Sequence, residues 1–343
     1  MEVDERKYVF VCGLHRSGTS VLGRNVARFE DCTGFKNTGA TEDEGQFLQD
    51  IYPVAAKLGG PGRFGFDARA HRTEKSDLLT PKNMRRLHES WHAHWDSSKR
   101  ICVEKTPANI LMTRFLQKAF PNSYFVVIRR HPVAVSIATQ RFWRINRMAL
   151  HRLLYHWLHC HDLFAEDRPH LKHVYELTYE DYVGNPPRYH SEIAAFIGTH
   201  VRQELEGGHL RNVVHPASQK VSQVWEKGLE EVSSVHNEKY LKQWSKLLET
   251  PPWKGYYRYI GRKYEKRFNQ YGYSLLESLD NPDKPMKRVD RMLGPVYCSG
   301  ANSYTLVWRL AAQAKRRLTF SNAAVGKSAG LRNKHGAEAR MEA

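Results

Sequence analysis

The sequence predicts an α/β protein: a mainly parallel central sheet flanked by helices, followed by a helical, basic C-terminal extension. Three observations predict it. Short apolar, strand-like runs alternate with helix-like stretches through the first half of the chain. Polar motifs stand directly after three of those runs, where ligands bind in parallel sheets. From about residue 200 the pattern turns helical and strongly basic.

The elements follow in order. Tyr8-Val9-Phe10-Val11-Cys12 reads as a buried strand, and a helix is expected from about Gly18 to Phe29. The stretch Asp31 to Asp43 is polar and reads as loop. Glu44 to Leu58 is predicted helical, with Phe47, Leu48, Ile51 and Val54 on or near one face, and Gly59-Gly60-Pro61-Gly62 ends it. Residues 60–80 read as loop, and Pro81 opens a helix carrying Met84, Leu87, Trp91 and Trp95 at helical spacing. Arg100-Ile101-Cys102-Val103 is a second strand and Ile110 to Phe120 a helix. Tyr124 to Ile128 is a third strand, followed by a helix after Pro132. Arg147 to Glu166 is a long aromatic-rich helix, and His173 to Leu177 a fourth strand. Tyr240 to Leu248 and Trp253 to Tyr273 are candidate helices. Leu306 to Leu318 reads as a short basic amphipathic helix. These runs divide the chain into a domain over 1–279 and a basic extension over 280–343, whose last 20 or so residues are expected to be disordered.

The first strand runs into Gly13-Leu14-His15-Arg16-Ser17-Gly18-Thr19-Ser20. That is the spacing of a phosphate-binding loop, G-x-x-x-x-G-K-[ST], with Thr19 in place of the lysine. A strand–loop–helix turn aims backbone N–H groups and the positive end of a helix dipole at an anion. The missing lysine is the one that reaches the outer phosphates of a nucleoside triphosphate. The loop therefore suits a phosphate outside ATP or GTP, with Arg16 as the replacement cation. The second strand ends in Glu104-Lys105-Thr106-Pro107 and the third in Arg129-Arg130-His131-Pro132.

A net charge of +17 and a pI near 9.6 point to anionic partners. Residues 280–343 hold twelve Lys and Arg against five Asp and Glu, so an acidic membrane surface is an expected partner of this extension. Nucleic acid is not the expected partner, although cations interleave with aromatics around Tyr256-Tyr257-Arg258-Tyr259. The five cysteines show no paired metal spacing, and Cys12 and Cys102 read as small buried apolar residues. His156, His159, Cys160 and His161 offer one helical His–Cys pair, without a second pair to complete a metal site. Trp143 and Trp157 read as packing residues. The charged start, Met1 to Lys7, carries no apolar leader, and no long apolar run follows. A cytoplasmic or peripheral-membrane location is expected.

Taken as a set, these motifs resemble the sulfotransferases that use 3′-phosphoadenosine 5′-phosphosulfate (PAPS). Arg16-Ser17-Gly18-Thr19-Ser20 matches the family's R-S-G-T-S/T loop, and Glu104-Lys105-Thr106-Pro107 its E-K-T-P. Arg130-His131-Pro132 matches R-x-P, and Tyr179-Glu180-Asp181-Tyr182 a Y-E-D-L segment that reads as structural. The resemblance covers roughly residues 8–200. It implies a P-loop-like sulfotransferase fold similar to carbohydrate and tyrosine-protein sulfotransferases. It implies PAPS as cofactor, no required metal, and a hydroxyl-bearing acceptor, most simply a carbohydrate or glycoconjugate. His15, Arg16, Ser17, Gly18, Thr19 and Ser20 would hold the 5′-phosphosulfate, and Arg130 the 3′-phosphate. Many members carry a serine eight residues after that arginine; here Ala138 stands there, and Ser136, or Thr139, is the substitute. A glutamate after the first helix is the base in related enzymes. The E-x-Q-F pattern points to Glu44, with Glu42, Asp43, His15 and His71 as alternatives. Lys105 would sit beside the transferring group. Two other function classes remain open: a P-loop kinase or NTPase, and a basic binder of nucleic acid or membranes.

Overall fold

The computed structural model describes residues 6–142, 147–202, 235–277, 279, 286, 288, 289 and 291–311. Five parallel strands form one sheet: β1 (Lys7–Gly13), β2 (Cys32–Gly34), β3 (Ile101–Lys105), β4 (Ser123–Arg129) and β5 (Val174–Thr178), in spatial order β2-β3-β1-β4-β5. β1 pairs with β3 from Lys7↔Ile101 and with β4 from Tyr8↔Ser123. It is the central strand, buried on both faces, which is why it reads as an unbroken apolar run rather than an alternating one. The pleat divides its side chains. Tyr8, Phe10 and Cys12 enter one core, and Val9 and Val11 the other.

The Val9 side is covered by α1 (Thr19–Val26), α6 (Tyr179–Gly184) and α7 (Pro186–Ile197), through Leu22, Val26, Tyr182, Ile193 and Ile197. The Phe10 side takes α2 (Pro81–His92), α3 (Thr113–Ala119), α4 (Pro132–Phe142), α5 (Leu150–Asp167), α8 (Val235–Glu249) and α9 (Lys254–Asn269). Trp91 of α2 is fully buried there, stacked on Phe120 at 5.2 Å; a side chain of that size contributes roughly 3–5 kcal/mol relative to alanine. Residues 291–311 form a last helix, α10, with Gly294 against the Tyr259 ring of α9.

The expected fold class is the observed one. Two local readings need correction. Residues 44–58 do not form an α-helix; they make separate 3₁₀ turns at Gly45–Phe47 and Ala55–Leu58. Side chains take over the backbone bonds that a helix would make. Gln49 Oε1 accepts from Ile51 N and Tyr52 N, Gln46 Oε1 accepts from Ala55 N, and Pro53 has no N–H to give. The stretch read as loop after Asp31 contains strand β2, an edge of three residues, too short to show a period. Trp143, residues 312–318 of the expected basic helix, and the C-terminal stretch expected to be disordered lie outside the described residues.

The chain leaves β1 toward β2 on one side and leaves β4 toward β5 on the other. The carboxyl ends of β1 and β4 therefore flank a topological switch point, the crevice where open α/β sheets bind ligands.

Candidate active site

At the end of β1 the chain turns through a tight loop into α1. Gly13 has no room for a side chain, since a Cβ there would lie 2.3 Å from the Ile128 carbonyl oxygen. Gly18 sits at φ 97° as the N-cap of α1, and its Cβ would meet the Tyr179 ring at 2.6 Å. Ser17 N donates to Leu14 O at 3.0 Å, closing the turn. Arg16 also holds a positive φ, 72°, a conformation that a non-glycine residue adopts at some strain. No side chain caps α1 and no acidic residue stands in its first turn, so no side chain of that turn offsets its positive end. The Ser17 hydroxyl is fully buried and has no hydrogen-bond partner among the described residues. His15 lies beneath the loop, edge-on to Phe64; burial first, then Lys105 and Arg16, lower its pKa to about 3, which keeps it neutral.

Two guanidinium groups bracket the loop. Arg130 Nη1 donates to the Arg16 carbonyl at 2.9 Å, and its guanidinium lies 4.1 Å from the Tyr179 ring centre. Arg16 lies 4.0 Å from the Phe142 ring centre. Burial pushes the Arg130 pKa down and the Arg16 charge adds to that, a strain that an anion between the two cations would relieve. The turn carrying Arg130 is fixed on three sides. Trp157 Nε1 donates to Arg130 O at 3.0 Å, His131 N donates to Glu180 Oε1 at 3.0 Å, and Tyr273 OH donates to Glu180 Oε2 at 3.1 Å. The Tyr179–Tyr182 segment thus supplies both the aromatic support of Arg130 and the carboxylate that holds its turn.

On the other flank, the end of β3 meets the 41–47 loop. Lys105 Nζ donates to Glu44 Oε1 at 3.0 Å and to Glu42 O at 3.3 Å, and Gln46 Nε2 donates to Glu44 Oε2 at 2.5 Å. Glu44 and Lys105 are both buried. Burial raises the Glu44 pKa, and Lys105 works against that rise. Glu104 is the clamp beneath this pair. It accepts from Gly45 N at 2.9 Å, Thr106 Oγ1 at 2.5 Å and Asn109 Nδ2 at 2.6 Å. Its carboxyl is fully buried, which pushes its pKa up to about 7. Trp91 Nε1 donates to Gly45 O at 3.0 Å, so the turn that aims Glu44 is held from both its N–H and its C=O.

The other candidates stand as follows. Asp43 accepts from Thr38 N at 2.9 Å and Thr38 Oγ1 at 2.7 Å, closing the loop that precedes it. Glu42 is exposed. His71 Nε2 pairs with Asp167 Oδ2 at 3.0 Å, at the end of α5. Ser136 and Thr139 line a small cavity with His15, Gly62 and His156, and the buried Ser136 hydroxyl has no partner among the described residues. His156 accepts from Gly65 N at 3.1 Å. Among the described residues no three His, Cys, Asp or Glu side chains gather to hold a metal. Sequence reasoning gave no role to Glu104, Phe142 or Tyr273. Only Glu104 carried a signal, an acidic residue inside an otherwise apolar strand.

Comparison with known proteins adds one firm result: the sulfotransferase family pattern matches residues 9–203, more than half of the chain. No curated protein matches the sequence. Among solved structures, a sulfotransferase from Alicyclobacillus acidocaldarius is 15% identical, covering 57% of this chain and 81% of its own, at a TM-score of 0.37. The sulfotransferase domain of the Synechococcus PCC 7002 olefin synthase is 15% identical, covering 58% and 74%, with a TM-score of 0.37. The sulfotransferase domain from the curacin biosynthetic pathway is 13% identical, covering 78% and 98%, with a TM-score of 0.43. Likenesses this distant carry no argument about the site.

Proposed function

The chain belongs to the sulfotransferase family, and on that premise we propose that it moves a sulfuryl group from PAPS to a hydroxyl of a carbohydrate or glycoconjugate. The observation that carries this reading is a phosphate cradle without the P-loop lysine, bracketed by Arg16 and Arg130 at the β1–β4 switch point. The residues fit such a donor. Gly13 and Gly18 let the loop close tightly against Ile128 and Tyr179, where a Cβ would clash, and the buried Ser17 hydroxyl has no partner among the described residues. PAPS, when bound, supplies a sulfuryl group on a phosphate leaving group.

The chain's own residues then have distinct tasks. The loop from His15 to Ser20, with the N-terminal amides of α1, binds the phosphosulfate and stabilises charge on the departing phosphate oxygen. Arg16 adds a cation there. Arg130 binds the 3′-phosphate, with the Ser136 hydroxyl in support from the next turn. Lys105 offers its ammonium to the sulfuryl oxygens. Glu44 takes the acceptor's proton at Oε2, the oxygen opposite the one bonded to Lys105. Burial raises the pKa of that carboxyl, which strengthens it as a base near neutral pH. The basic surface suits an acidic glycan, and that complementarity supports the choice of acceptor.

The test is transfer of radiolabelled sulfate from PAPS to a panel of glycans, glycolipids, a tyrosyl peptide and a simple alcohol. We expect label on a glycan or glycolipid, and a loss of about 100-fold or more in kcat for Glu44→Gln. Label confined to the peptide or alcohol would overturn the acceptor class. Unchanged kcat in Glu44→Gln would overturn the base.

A further inference from the structure

Of the fourteen large apolar side chains that are exposed among the described residues, nine fall between Val289 and Leu310. They are not scattered. Val289, Leu293, Val296, Val307 and Leu310 recur at helical spacing, with the small Gly300 and Ser303 filling the turns between them. Val296 is 64% exposed and Val307 65%. A different face of α10 does the packing: Gly294 meets Tyr259, Tyr297 meets Gly255, and Ala301 and Thr305 are buried. The helix therefore rests on α9 by one face and turns a continuous apolar stripe to solvent.

The charge along the stripe and beyond it is strongly biased: from residue 288 to residue 337 the sequence holds nine Lys and Arg against one acidic residue, Asp290. Arg288 and Arg291 stand at its start and Arg309 near its end, and the Arg147 guanidinium lies 5.3 Å from the Trp308 ring centre. From residue 291 to residue 337 the sequence holds eight Lys and Arg and no Asp or Glu. Apolar side chains with Trp and Tyr at the margin, and cations at both ends that far outnumber the single Asp290, match the chemistry of an interfacial helix on anionic lipid. Among the described residues no helix is long and apolar enough to cross a membrane, so the match is to the surface.

We propose that the exposed face of α10 docks this protein on an anionic bilayer surface. The apolar stripe enters the headgroup–acyl boundary, and the flanking cations meet the lipid phosphates.

The test uses the full chain in vesicle co-sedimentation. One set of vesicles is phosphatidylcholine alone; the other contains about 30% phosphatidylglycerol. We expect partitioning at least about tenfold stronger on the anionic vesicles, weakening as salt rises from about 0.1 M to about 0.5 M. The double variant Val296→Asp/Val307→Asp should lose about tenfold in partitioning while keeping its thermal transition, because both side chains are exposed. No binding to anionic vesicles, or equal binding to both sets, would overturn the proposal. A dimer seen by light scattering and abolished by the same double variant, without vesicle binding, would assign the face to a second copy instead. The lipid and salt comparisons on the unaltered chain can overturn the proposal even if the double variant does not fold.

Discussion

Lys105 Nζ and Glu44 Oε1 lie 3.0 Å apart, both buried, and this bond joins the end of the sheet to an irregular loop. Neither sequence neighbourhood predicts the contact, because the two residues are separated by α2 and the long loops on either side of it. Taking two charges out of water is unfavourable, so the pair persists only because each compensates the other. Lys105→Met should therefore destabilise the fold by roughly 3–5 kcal/mol, and Lys105→Met/Glu44→Gln by much less. Urea denaturation of the four proteins of the double-mutant cycle measures this. Additive effects would mean that the ion pair is not formed in solution.

Glu104 gives a pH dependence whose sign can be worked out. Its carboxyl is raised from 4.5 in the unfolded chain to about 7 in the fold. Between those values the native state keeps a proton that the unfolded state has released. The contribution is thus fully present below pH 4.5, is lost as pH rises toward 7, and amounts to roughly 3 kcal/mol in all. Glu104→Gln should flatten the stability–pH curve over that window relative to the wild type. Chemical denaturation at the two ends of the window checks it, and an unchanged slope would show that Glu104 titrates elsewhere.

Gly18→Ala should damage both fold and loop. The residue sits at φ 97°, and the added Cβ would lie 2.6 Å from the Tyr179 ring that supports Arg130. A loss of about 1–2 kcal/mol in stability is expected, together with a loss of phosphate binding. Thermal unfolding with and without adenosine 3′,5′-bisphosphate separates the two effects. A normal ligand-induced rise in Tm would contradict the role given to the loop.

Phe142→Ala removes the ring beneath Arg16, which lies 4.0 Å from its centre. A cation–π contact at the surface is worth about 0.5–1 kcal/mol, so a two- to fivefold rise in KM for the donor is expected, with kcat little changed. A large fall in kcat with unchanged KM would place Phe142 elsewhere in the reaction.

Strands β1, β3 and β4 were legible because they are buried almost throughout and appear as short apolar runs with polar motifs at their ends. The phosphate loop was legible because glycine spacing reports backbone geometry directly. The 44–58 stretch misled because Phe47, Leu48, Ile51 and Val54 mimic a helical period, while Gln46 and Gln49 take the backbone bonds for themselves. Glu104 stood out as an acidic residue in an apolar run, but its clamp did not, because Gly45 and Asn109 come together only through the fold. The outward-facing stripe of α10 was mostly missed: the sequence reading placed an amphipathic helix only from Leu306 to Leu318, whereas the helix spans residues 291–311, and only packing shows which face is left in water.

The central claim is that the loop and Arg130 bind a nucleotide carrying a 3′-phosphate. Calorimetric titration with adenosine 3′,5′-bisphosphate, without Mg²⁺, tests it most directly, alongside ATP and the Arg130→Ala variant. Micromolar binding of the bisphosphate, lost in the variant and weak for ATP, is the result expected. Binding of ATP that requires Mg²⁺, with no binding of the bisphosphate, would contradict the account.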